Sequence, residues 1–112
     1  MTYSIDNAAS ELMLEPEEMK EILEAFFEDA PTLLEQGKQA LQDGDRQRLS
    51  RAMHALKGAS LNMRMDALGA SAARAEQAEQ LPLPTLHGIF QDIERELHQT
   101  ERIFHEYFAS GA

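Results

Sequence analysis

Apolar residues in this chain recur at intervals of three and four, and nowhere do they alternate at intervals of two over a strand-length run. That period belongs to amphipathic helices, each with one face to bury, so the pattern restricts the fold to helix packed on helix. β-Branched residues are sparse, and no segment reads as a strand. At 112 residues there is room for one hydrophobic core, and the 43% hydrophobic content is enough to form it. The expectation is an all-α, antiparallel (up-down-up-down) four-helix bundle with one short extra N-terminal helix, a single domain over residues 1–112.

Punctuation divides the chain. Asp6 is expected to cap a short first segment from Asn7 to about Met13. Glu15-Pro16 opens a second, with Met19, Ile22, Leu23 and Phe26 at helical spacing to about Asp29. Pro31 is expected to restart the chain, and Leu33, Leu34, Gly37 and Leu41 carry a third segment to Asp43-Gly44. Asp45 caps a fourth that runs to about Arg64, and Asp66 a fifth that holds Leu68, Ala72 and Ala75 on one side. The Ala-rich fifth segment, with Gly69, suits close packing on a neighbour. Leu81-Pro82-Leu83-Pro84 reads as a stiff connector. The last and longest helix starts near Thr85, its stripe running from Leu86 through Ile89, Phe90, Ile93, Leu97, Ile103 and Phe104 to Phe108.

Charge and composition narrow the function. Twenty acidic against ten basic residues give a net charge of −10, which repels phosphate backbones and anionic lipid, so neither nucleic acid nor membrane is expected as a partner. With no cysteine there is no disulfide, thiolate metal site or thiol nucleophile. Apolar runs are too short for a bilayer span, and the amino end has no secretory apolar region, so a cytoplasmic protein is expected.

On a helical wheel at about 100° per residue, Leu49, Ala52, Met53, Leu56, Ser60 and Met63 share one side of the fourth helix. His54 lies roughly 150° from the centre of that stripe, facing outward. With it lie Gln47, Arg51, Lys57, Gly58, Leu61 and Met65. Gly58 costs about 1 kcal/mol relative to Ala within a helix, and on an outward face it clears space beside the imidazole for an approaching protein. Lys57 is able to bring an ammonium near any group attached to the ring, while Leu61 and Met65 suit a docking patch. Arg51, one turn before His54, is either a contact to the incoming group or partner, or a solubilising charge. Phe27 is a further possible extension of that patch.

Imidazole is nucleophilic at neutral pH, its ordinary pKa being about 6.5, and a phosphoryl product would be stabilised by a nearby cation. No Mg²⁺-binding carboxylate cluster or Gly-rich nucleotide loop accompanies it, so the rest of an active site must come from a partner.

The run His54-Ala55-Leu56-Lys57-Gly58-Ala59-Ser60, with Leu68 and Glu76 on the next helix, resembles the histidine phosphotransfer (HPt) domain. The likeness extends over the whole chain, through helix order and the acidic Asp43-Gly44-Asp45 turn. It implies a phosphorelay intermediate and no enzyme in its own right: His54 accepts a phosphoryl group on Nε2 from a receiver-domain aspartate and passes it to another. By the same resemblance Lys57 neutralises that group, Gly58 admits the receiver, and Glu76 holds Nδ1. Gln47, Arg51, Leu61, Arg64 and Met65 are the expected partner-binding residues, and Arg64 stands where the family usually has Gly. Response-regulator receiver domains and a hybrid histidine kinase are the implied partners of a monomer that needs no cofactor of its own, Mg²⁺ being expected on the receiver. Two other readings differ in class: a non-catalytic helical adaptor that docks signalling partners, and a metal-binding bundle using His98 and His105 with Glu94 and Glu101.

Overall fold

In a computed structural model, which describes residues 2–109, five helices enclose one apolar core. They are α1 (Ile5–Glu11), α2 (Pro16–Gln42), α3 (Arg46–Asn62), α4 (Asp66–Glu76) and α5 (Leu83–Ala109), with a single 3₁₀ turn at Ala78–Gln80. No strand occurs among the described residues. The two 27-residue helices, α2 and α5, are each about 40 Å long and set the 45 Å long axis of the molecule. Short turns at Asp43–Asp45 and Met63–Met65 fold α3 back along α2 and α4 back along α3, which is the expected bundle, and α1 packs on α2. No described helix is long and apolar enough to cross a membrane.

Local chemistry explains most of the boundaries. At Glu15 a capping box satisfies two orphan amides, the Glu15 N–H donating to Glu18 Oε1 at 2.9 Å, and Pro16 follows where no donor is needed. Asp45 caps α3 as expected, accepting from the Arg48 N–H at 3.0 Å. Two caps differ from the sequence reading. Ser4, not Asp6, caps α1 through the Asn7 N–H, and Asp66 lies inside the first turn of α4 rather than before it. A carboxylate is favourable in either place, because all the amides of a first turn point toward it.

Pro31 does not restart the chain: α2 runs through it. An interior proline costs roughly 3 kcal/mol. The buried stripe of Met19, Leu23, Phe26, Ala30, Leu34, Gly37 and Ala40 stays in phase across it, so packing on both sides of an exposed Pro31 outweighs the local penalty. Likewise, α5 begins at Leu83 and takes Pro84 into its first turn, where a missing N–H breaks no bond. Phe27 is only partly exposed, its ring packing 5.3 Å from those of Phe26 and Phe104.

Three helices end alike. After α1, α2 and α3 the residues Met13, Gly44 and Arg64 adopt φ of 59°, 73° and 63°. In each case the next amide reaches back to the carbonyl of the helix's third-last residue, as in Leu14 to Ala9, Asp45 to Ala40 and Met65 to Ser60. Arg64 therefore adopts the left-handed backbone that a glycine would take, and this reversal brings α4 alongside α3.

Candidate functional site

α3 presents its two faces as the wheel implies. Leu49, Ala52, Met53, Leu56 and Ser60 are buried, and the Ser60 hydroxyl is satisfied by the Leu56 carbonyl at 2.7 Å. On the opposite side the His54 side chain is 71% exposed. A Cβ built on Gly58 meets nothing within 4 Å, so the space beside the imidazole is open and no packing among the described residues requires a glycine there.

α4 completes the site. The tight turn at Met63–Met65 lays α4 against α3, and the last residue of α4, Glu76, directs its carboxylate back at the histidine. Glu76 Oε1 pairs with His54 Nδ1, and Oε2 lies 3.2 Å from Lys57 Nζ. The hydrogen bond with the His54 ring, more than the Lys57 contact, holds the Glu76 carboxyl below its ordinary pKa against an opposing push from burial. An ionised carboxylate has no proton to give, so Nδ1 is the donor in this pair. A neutral ring with Nδ1 protonated carries its lone pair on Nε2, the nitrogen left toward solvent.

Lys57 is placed differently from the simplest expectation. Its ammonium is shared with Glu76 and its side chain is about three-quarters covered, so it does not stand free beside Nε2. Arg51 and Gln47 are exposed along α3, and Arg51 borders a shallow depression with Ser50, His54, Glu76 and Gln77. Leu61 is 42% exposed and leans on Gly69, where a Cβ would come within 2.6 Å of its Cδ2. Arg64 is exposed and pairs with Glu11 at 3.4 Å.

Met65 corrects the sequence reading. It is only 2% exposed and offers a partner no surface. A wheel continued through Arg64 assumes helical backbone, whereas the left-handed residue there swings the next side chain into the core.

His98 and His105 do not converge with Glu94 and Glu101 on a common point. Glu94 pairs with Lys38 at 2.9 Å, and no group of three or more His, Asp and Glu able to hold a metal occurs among the described residues.

Two residues at the site escaped the sequence reading. The Ser50 hydroxyl donates to the Glu76 main-chain carbonyl at 2.6 Å, and Arg46 Nη1 donates to the carbonyls of Ala78 and Leu81, both at 2.7 Å. Their spacing of four and eight residues ahead of His54 was the available signal.

An outward histidine on a bundle helix, its Nδ1 paired with a carboxylate and its next turn a bare glycine, defines a helical bundle that presents an oriented imidazole. A family model described as Hpt domain matches residues 21–103, about three-quarters of the sequence. The chain belongs to the Hpt domain family, whose members carry phosphoryl groups in two-component phosphorelays and interact with receiver domains and histidine kinases. No curated protein and no solved structure matches the chain.

Proposed function

We propose that this protein is a phosphorelay intermediate in which His54 Nε2 takes a phosphoryl group from the aspartyl phosphate of one receiver domain and returns it to the aspartate of another. The observation that carries this reading is the Glu76 hold on Nδ1 of a histidine that is otherwise 71% exposed. As the N–P bond forms, the P–O bond of the acyl phosphate breaks and the receiver's aspartate leaves as a carboxylate. The ring becomes formally cationic while keeping its Nδ1 proton, and the ionised Glu76 one hydrogen bond away offsets that charge. Lys57 Nζ uses one N–H on Glu76 and has two left for phosphoryl oxygens.

Alignment of the nucleophile is this chain's share of the work; Mg²⁺ and the remaining positive charge on the phosphoryl oxygens are the receiver's. Gly58 leaves room for the receiver, with Gln47, Arg51, Leu61 and Arg64 around the approach. A hybrid histidine kinase is the upstream source in this scheme. In this scheme the protein works as a cytoplasmic monomer, a single domain over residues 1–112, with the imidazole and its carboxylate supplied by the same copy.

The test is incubation with a phosphorylated receiver. Acid-labile, base-stable label is expected on the native protein and absent from His54→Gln; persistent label in that variant sinks the proposal. Partner binding that tolerates His54→Gln with no label in either protein would favour an adaptor instead.

A further inference from the structure

Arg46, Ser50 and His54 are spaced by four and form one row along α3. Opposite this row the chain leaves α4 at Glu76 and descends through the 3₁₀ turn to Leu81. Each member of the row grips that descending segment in order. Arg46 takes the carbonyls of Ala78 and Leu81, Ser50 takes the carbonyl of Glu76, and His54 takes the carboxylate of the same Glu76. The Glu76 carbonyl is one of those that a helix end leaves without an amide, for the Gln80 N–H goes to Gln77. One residue is therefore held at two points: its backbone by Ser50, and its carboxylate between His54 and Lys57.

We infer that Ser50, supported by Arg46, is a positioning residue for phosphoryl acceptance, acting through Glu76 to hold the His54 ring in the Nδ1–H form. This rests on the phosphotransfer reading above. Glu76 is the final residue of α4, where helices fray, and a carboxylate on a fraying turn would orient the imidazole only part of the time. The Ser50 hydroxyl removes that freedom at the main chain, while Arg46 pins the turn that follows. Neither touches the reacting nitrogen.

The test pairs a spectroscopic and a kinetic measurement on the full chain. At a pH where the ring is neutral, ¹⁵N shifts of the His54 ring report which nitrogen carries the proton. The native ring is expected to show a protonated Nδ1 and a bare Nε2. In Ser50→Ala the two signals should converge toward a mixture, and the initial rate of acceptance from a phosphorylated receiver should fall roughly threefold to tenfold, the factor that the net worth of one hydrogen bond sets. Ser50→Thr, which keeps the hydroxyl, should restore both. Arg46→Met, which keeps the stem and removes the two carbonyl contacts, should move the ring signals in the same direction by less, and stands in if Ser50→Ala does not fold.

A purely structural Ser50 would lower the melting temperature and leave the ring signals native. That result overturns the inference, as does failure of the threonine to rescue. If the native protein shows the Nδ1–H ring and still accepts no phosphoryl group, the phosphotransfer reading falls first and takes this role with it.

Discussion

Glu76, at the end of α4, holds Nδ1 of His54, 22 positions earlier on α3, and its second carboxylate oxygen meets Lys57. One carboxylate thus meets both Nδ1 of the imidazole and the ammonium that follows it on the same helix.

Removing that carboxylate separates its contributions. Glu76→Ala is expected to slow phosphoryl acceptance by His54 about 10- to 100-fold, the range for a charge-assisted hydrogen bond. Glu76→Gln keeps an acceptor for Nδ1 and loses the charge, so it should fall between Glu76→Ala and the native protein. Initial labelling rates measure this, with circular dichroism to show that the helices persist. Equal rates in all three proteins would remove Glu76 from the mechanism.

Gly58 and Gly88 form a matched pair, since a Cβ built on either meets nothing within 4 Å. Both lie inside exposed helix, so Gly→Ala at each should stabilise the fold by about 1 kcal/mol. Only Gly58→Ala is expected to slow transfer, because only that methyl group stands beside the imidazole. Thermal melts and labelling of the two variants check this, and unimpaired transfer by Gly58→Ala would deny the glycine its role in admitting a partner.

Glu96 and Glu76 should respond to pH in opposite senses. Burial raises the Glu96 carboxyl above its ordinary value, against the lowering effect of the Ser71 hydroxyl, which lies 3.0 Å from both oxygens. A raised carboxyl binds its proton more tightly in the folded state, so its penalty on stability grows as pH rises through the interval from the ordinary to the raised value. Glu96→Gln is therefore expected to be more stable than the native chain at neutral pH, the gain vanishing below the ordinary carboxylate range. For Glu76 the folded value is lowered, so its stabilising share is present above the ordinary value and fades as pH falls through the lowered one. Denaturant midpoints of both glutamine variants against pH decide the matter. A gain for Glu96→Gln that is flat with pH would contradict the assignment.

Met13 holds φ of 59° and is 92% exposed. Met13→Gly is expected to relieve about 1 kcal/mol of left-handed strain and raise the melting temperature. Arg64→Gly should gain less, because it also gives up the pair with Glu11. A fall in stability for Met13→Gly would show that the strain is absent.

How far the chain could be read without its fold is clearest residue by residue. The helical class, the buried stripe of α3, the outward His54 and the Asp45 cap were legible because period and capping belong to a few consecutive residues. Pro31 was not, since its local penalty is outweighed by stripe residues that find their partners only in the folded bundle. Nor was Met65, whose direction follows from the left-handed backbone of Arg64. Glu76 entered the sequence reading through family resemblance alone, and Ser50 and Arg46 not at all. The sequence by itself determined that a histidine would face solvent beside a bare glycine. Which carboxylate meets its Nδ1, and which hydroxyl steadies that carboxylate, depends on how α4 lies along α3, a relation between distant segments that burial of their shared apolar faces decides.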